Sequence, residues 1–188
     1  MTNNTQATVA DLRNWFPHGA CADTSNRRSH QEPLTQTNAD SERTHPEDLA
    51  NLPKAEFMMP GPERDRLVDL ILDGTKTATT SLLIDYQECG DPLPKVGDQS
   101  MLVDSDECGV AVLVTTAVDV VRLADVTDRH AIDEGEGNTT ADEWRRVHEA
   151  FWDSQNYRAE FTDHDFPIDD DTPVVLEHFT VKELLPQR

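Results

Sequence analysis

The run Asp73-Gly74-Thr75-Lys76-Thr77-Ala78-Thr79-Thr80-Ser81 places one ammonium group among four threonines and a serine. The chain has only four lysines, Lys54, Lys76, Lys95 and Lys182, against a formal net charge of −21. A lysine at a low-dielectric junction can lose its proton near neutrality and act as a base toward a hydroxyl or a water. It can also stay charged and anchor negative charge. Thr79, three residues on, offers a hydroxyl as nucleophile or orienter. Glu134, in the glycine-flanked loop Glu134-Gly135-Glu136-Gly137, offers a carboxylate to orient water or shuttle a proton. Sequence distance alone does not pair these three residues. The plain structural reading of the same stretch is a helix stopped by Gly74 and followed by a Thr-rich strand. Spacing leaves both readings open.

Other candidates weigh differently. Glu134 and Glu136 lack a histidine at ligand spacing, so a flexible acidic loop outweighs a metal site, and no metal or cofactor is expected. His148 lies on a stripe formed by Trp144, Val147, Phe151 and Trp152. Two tryptophans in that stripe could stack a base, but core packing is the stronger reading, with His148 a buried histidine or a pocket residue. Asp163-His164-Asp165 reads as solvated loop. No phosphate-binding loop, dinucleotide fingerprint, nucleophile elbow or HExxH helix occurs.

The charge sets limits on partners. A field of −21 repels nucleic acid and anionic membranes at long range, so a nucleic-acid role needs a local pocket or a small ligand such as a nucleoside. DNA is not an expected partner. No run of about 18 apolar residues is present, which argues against a membrane span. The first residues lack a basic and then apolar leader pattern, and Cys21, Cys89 and Cys108 are odd in number and far apart. Both features point to reduced thiols in the cytoplasm.

The elements that must position these groups begin after a polar extension, residues 1–52, with one apolar patch at Leu12, Trp15 and Phe16. The domain proper is 53–188. Pro46 begins a short helix, and Ala55 to Met59 reads as a short strand. Pro62 suits a first helical position, and Leu67, Leu70 and Ile71 give one apolar face before Gly74. Lys76 to Ile84 is a strand candidate, as are Ser100 to Val103, the Val-rich run Val110 to Val121, and Pro173 to Leu185. Asp125 begins a short helix through Ile132. Thr140 and Glu143 make a capping box for a helix running to about Tyr157. The connections 84–100 and 104–110 are too short for parallel crossovers. The fold class is α+β: a mostly antiparallel mixed sheet, expected to close into a small barrel with three or so covering helices.

In this order the pieces resemble an ASCH-domain protein of the PUA-like superfamily, in its longer form. The matching stretches are Leu67–Ile71 with Gly74-Thr75-Lys76-Thr77-Ala78-Thr79, then Pro92 to Asp98, Val114-Thr115-Thr116, Glu134-Gly135-Glu136-Gly137, Trp144 to His148 with Phe151, and Glu177-His178-Phe179. The resemblance implies a PUA-like barrel, a cleft beside the G-x-K-T strand, and a link to RNA. Short members are similar to amidohydrolases of N4-acetylated cytidine, whose lysine, threonine and glutamate fall on Lys76, Thr79 and Glu134. Other long members are associated with cleavage of single-stranded RNA. The expectation is therefore an RNA- or nucleoside-binding protein with a hydrolase pocket. The alternatives are a non-catalytic RNA- or ligand-binding module and a single-strand ribonuclease. Gly74, Thr77, Ser81, Trp144, Arg145 and His148 are the expected substrate-binding residues. Ser81 stands where the short form has an arginine, a departure that bears on which substrate is recognised.

Overall fold

A computed structural model describes residues 49–186. The polar extension up to residue 48, with Leu12, Trp15, Phe16 and Cys21, lies outside the described residues. Five strands form one sheet: β1 (Lys54–Ala55), β2 (Ala78–Leu82), β3 (Gln99–Val103), β4 (Gly109–Arg122) and β5 (Pro173–Leu184). Their order is β1-β3-β4-β5-β2. Only the β1–β3 pair is parallel; the other three are antiparallel. The expected α+β mixed sheet is therefore present, but it is not closed into a barrel. β1 and β2 are its two edges and do not pair with each other.

The long strand β4 works as the spine. Its first half pairs with β3, and Ala111 to Arg122 pairs with β5. Thr116 is an extra residue in that ladder, between the pairs Thr115–Phe179 and Ala117–His178. A bulge of this kind bends the strand and increases its twist.

Helix α1 (Pro62–Leu72) starts with the proline at its first turn and Glu63 and Asp65 at its positive end. It buries Leu67, Val68 and Ile71 against Phe57, Leu102 and other residues of the main core. It also buries Arg64. That guanidinium bonds the Met58 carbonyl at 2.8 Å and pairs with Glu107 at 2.8 Å and Glu56 at 3.3 Å. Met58 itself has φ of 70°, a left-handed conformation uncommon for a residue with a side chain. Here the expected strand Ala55–Met59 ends early, at Ala55, because the chain turns over Arg64.

The expected strand Lys76–Ile84 also splits. β2 stops at Leu82, and a helix, α2 (Leu83–Cys89), begins at once. The Asp85 carboxylate accepts from the Leu82 N–H at 2.9 Å and so caps that helix. A short apolar run such as Leu82-Leu83-Ile84 fits strand or helix equally. Helix α3 (Asp128–Asp133) is capped by Thr127 and α4 (Ala141–Trp152) by Thr140. α4 stops at Trp152 rather than near Tyr157. Ser154 caps a separate turn of helix, α5 (Gln155–Arg158), by accepting from the Tyr157 N–H. Trp144 and Trp152 are core residues, as the stripe implied.

Candidate functional site

Lys76 comes just before β2, and its position is fixed by backbone contacts to the far side of the chain. Its N–H donates to Leu70 O at 2.8 Å, and the next N–H, of Thr77, donates to Asp133 O at 2.8 Å. The Thr77 hydroxyl reaches the same carbonyl at 3.2 Å. This clasp brings α3 and the loop after it against the Lys76 segment. Gly135 makes the approach feasible. Its φ is +69°, and a Cβ there would lie 2.5 Å from Thr75 O and 2.8 Å from Lys76 N. Only glycine fits both conditions.

The result is a buried ionic network. Lys76 Nζ donates to Glu136 Oε1 at 2.6 Å and to the Glu134 carbonyl at 3.4 Å, and lies 5.7 Å from the Phe57 ring centroid. These two oxygens are acceptors, so the nitrogen supplies the protons. The Glu134 side chain is fully buried. Its Oε1 accepts from the Thr80 hydroxyl at 2.6 Å and lies 3.2 Å from His130 Nε2. Because Thr80 donates to Glu134, its oxygen is left to accept from His130 Nε2, 2.7 Å away. That assigns the His130 proton to Nε2, and Nδ1 has no partner. His148 stacks on the Trp144 ring at 4.1 Å, and its Nδ1 donates to Trp144 O at 3.0 Å. Its Nε2 faces Glu134 Oε2 at 3.3 Å, close enough for an ion pair though not aligned for a strong hydrogen bond. With Nδ1–H committed to a carbonyl, that contact needs a second proton, between His148 and Glu134.

Burial alone would raise the Glu134 carboxyl. The His148 charge, the contacts from His130 and His148, and the Lys76 charge outweigh it and hold the group well below the usual carboxylate range. Such a carboxylate is a weak base, better suited to fixing neighbours than to collecting protons. Burial and the neighbouring His130 lower His178, whose ring lies 5.4 Å from that of His130.

The sequence-derived residues are distributed as follows. Lys76, Glu134, His148 and Trp144 meet. Gly74 ends α1 with φ of +80° and, with Thr77, lines a pocket of about 170 Å³ between α1, Lys76 and Phe179–Val181. Thr79 is buried, but its hydroxyl is not bonded into the network; Thr80 occupies that role. Ser81 is buried and bonds Tyr86 on the opposite face of β2 from Thr80. Arg145 is held away by Glu149 and Asp170, each at 2.7 Å. Thr80 and His130 have no site role in the sequence reading, where Glu136 belongs to a flexible acidic loop; the structure brings all three into the network. The signal for His130 was available, since it stands four residues before Glu134 on one helix face. Among the described residues, no group of three or more side chains has the arrangement of a metal site. No helix there is long and apolar enough to cross a membrane.

The family model described as ASCH domain matches residues 56–183. The chain belongs to the ASCH-domain family. Its fold is similar to the crystal structure of an ASCH domain from Lactobacillus crispatus, at 26% identity and a TM-score of 0.59, covering 69% of this chain and 79% of that one. It is also similar to the crystal structure of an Enterococcus faecalis protein, at 28% identity and a TM-score of 0.54, covering 64% and 69%. These likenesses agree with the expected PUA-like fold. No curated protein matches.

Proposed function

We propose that this ASCH domain binds a single nucleoside or one exposed RNA base and hydrolyses an amide on it. The observation that carries the reading is the burial of Lys76, Glu134, Glu136, His130 and His148 around one point. Taking ions out of water costs several kcal/mol each, and apolar residues of similar volume would make a more stable core. A protein that keeps such a group is using it. The adjoining pocket supports a small ligand. At about 170 Å³ it is near the size of a cavity, about 150 Å³, that takes one benzene ring.

The chemistry is the addition of water to an acyl carbon. A C–O bond forms, the C–N bond breaks, and the proton from water passes to the departing amine. Lys76 stabilises the oxyanion, while Glu134, held as carboxylate by Thr80 and the two histidines, keeps the site's geometry and charge. Glu136 occupies the Lys76 ammonium, so an acyl oxygen must displace it. The charge pattern disfavours long RNA. Arg66, Arg122, Arg129, Arg145 and Arg158 each face a carboxylate, leaving them poorly placed to release counterions from phosphates.

The test is hydrolysis of N4-acetylcytidine and related acylated nucleosides, followed by mass spectrometry. Lys76→Ala should lower the rate by about 10²–10³, the usual loss for one oxyanion donor, with the circular dichroism spectrum unchanged. A wild-type protein inert toward the whole panel would count against hydrolysis. One observation favours a second, non-catalytic reading: Lys76 is 1% exposed with both acceptor contacts made. Binding of nucleosides without turnover would select it.

A further inference from the structure

We propose that Glu136 stands in for a ligand carboxylate: it seats its own carboxylate on Lys76, yields that seat to the carboxylate of a small acid, and expels the acid when it returns. The proposal extends the reading above and rests on it only for the acid being a product of hydrolysis.

The network holds two glutamates of different standing. Glu134 is fully buried and meets the Thr80 hydroxyl at 2.6 Å, His130 at 3.2 Å and His148 at 3.3 Å. Glu136 has one partner among the described residues, Lys76, at 2.6 Å. Its side chain is 8% exposed, where those of Lys76 and Glu134 are 0% and those of His148 and His130 are 1% and 3%. Glu136 is therefore the outermost member of the network.

The chain around Glu136 lets its carboxylate leave. Gly135 is pinned against the Thr75 backbone, so the freedom lies on the other side. Gly137 has φ of +98° and nothing within 4 Å of an added Cβ. A glycine there can change its backbone angles at little cost. Rotation at Gly137 and about the Glu136 side-chain bonds moves the carboxylate outward. The clasp from Thr77 N–H to Asp133 O and the contacts of Glu134 stay in place.

The vacated seat suits one kind of ligand. With the shared proton, His148 and Glu134 form a pair of zero net charge, and Lys76 with Glu136 forms a second. Without Glu136 the buried group carries one net positive charge, where water screens it poorly. An unpaired buried cation is costly, so the seat attracts an anion even in a chain of net charge −21. Its present occupant defines the fit: a planar carboxylate with one oxygen 2.6 Å from Lys76 Nζ. A phosphate brings more oxygens and more charge than this seat balances. A neutral amide brings no charge to pair.

Water adding to an acyl amide leaves an amine and a carboxylate. The acid formed at Lys76 thus bears the group that the seat holds best. Glu136 competes for the same ammonium from within the chain, at an effective concentration on the order of millimolar or more. Its return releases the acid and resets the site.

The experiment follows binding of sodium formate to the full chain by calorimetry and thermal melt, with sodium chloride at equal concentration as control. The proteins are wild type, Glu136→Gln, Glu136→Ala and the double variant Lys76→Met/Glu136→Ala. Formate should bind Glu136→Ala about tenfold or more tightly than wild type and raise its melting temperature. Glu136→Gln keeps a neutral acceptor on Lys76 and should fall between them. The double variant should not respond. If Glu136→Ala is unfolded at low salt, formate should restore its circular dichroism spectrum and chloride should not. Equal formate affinity in wild type and both single variants overturns the proposal. So does a response that chloride reproduces or that survives in the double variant. In the hydrolysis assay, added acetate should inhibit Glu136→Gln about tenfold more strongly than wild type; equal inhibition overturns the expulsion step. Formate bound as expected, with every acylated nucleoside left intact, supports the seat and sinks the hydrolytic reading. Hydrolysis by wild type, with no formate bound by any variant, sinks the seat alone.

Discussion

Replacing Gly135 by alanine is expected to damage the site more than any other single methyl group added to it. Two costs combine. A non-glycine residue at φ of +69° pays about 1 kcal/mol of backbone strain. The new Cβ would also fall 2.5 Å from Thr75 O and 2.7 Å from Thr75 C, both backbone atoms with no rotamer to escape by. Overpacking of this kind costs about 1–3 kcal/mol. Together the loss is about 2–4 kcal/mol, which for a domain of this size lowers the melting temperature by roughly 5–15 °C. The strand clasp from Thr77 N–H to Asp133 O would stretch, and with it the Lys76–Glu136 contact. Thermal unfolding followed by circular dichroism measures the loss. Gly137→Ala is the control, since Gly137 has φ of +98° but nothing within 4 Å of its added carbon. If the two variants melt within about 2 °C of each other, steric contact between the loop and Lys76 is not what fixes the site.

Other outcomes follow from the buried charges. Burial pushes Asp85 up to about 6, against the bonds from Tyr157 and the Leu82 N–H. The folded state thus holds that proton more tightly than the unfolded chain. Its stabilising effect is complete below pH 4 and lost as pH rises through 6. The span is at most about 3 kcal/mol, given the residue's partial exposure. Asp85→Asn can still bond both partners, so its stability relative to wild type should climb between pH 4 and 7 in urea titrations; parallel profiles would refute the assignment. Lys76→Met alone leaves Glu136 buried without its cation and should cost about 3–5 kcal/mol. Adding Glu136→Gln should return much of that, and a coupling below about 0.5 kcal/mol in the double-mutant cycle would mean that the pair is energetically slack.

The sequence made some parts of this molecule legible and concealed others for identifiable reasons. α1 carries its start in Pro62, its face in Leu67 and Ile71, and its stop in Gly74, so local signals suffice. β4 is legible because a long Val-rich run has few alternatives. α2 was hidden because its cap is a side chain, Asp85, reaching back to an apolar residue rather than a Ser or Thr in front of it. Barrel closure was expected from the short antiparallel connections as well as from the resemblance, and the edges β1 and β2 remain apart. At the site, Lys76 stood out as a rare cation. Which of Thr79 and Thr80 faces Glu134 is a question of strand parity, and parity is set by α3 docking on β2 from more than 50 residues away. Glu177 enters the sequence reading only within the matching stretch Glu177-His178-Phe179; its neighbours, Thr79 and Thr115, come from two other strands.

The sheet order has a consequence for how the protein is made. β2 bonds within the sheet only to β5, pairing Ala78–Leu82 with Val174–His178. A ribosome adding about 5–20 residues per second needs roughly 5–20 s to pass from one to the other. Throughout that interval the strand next to Lys76 has left the exit tunnel without its partner. The site is therefore closed by the last of the described strands to be made, and a chain released before it would keep its lysine motif yet lack the strand that completes the face of Thr79.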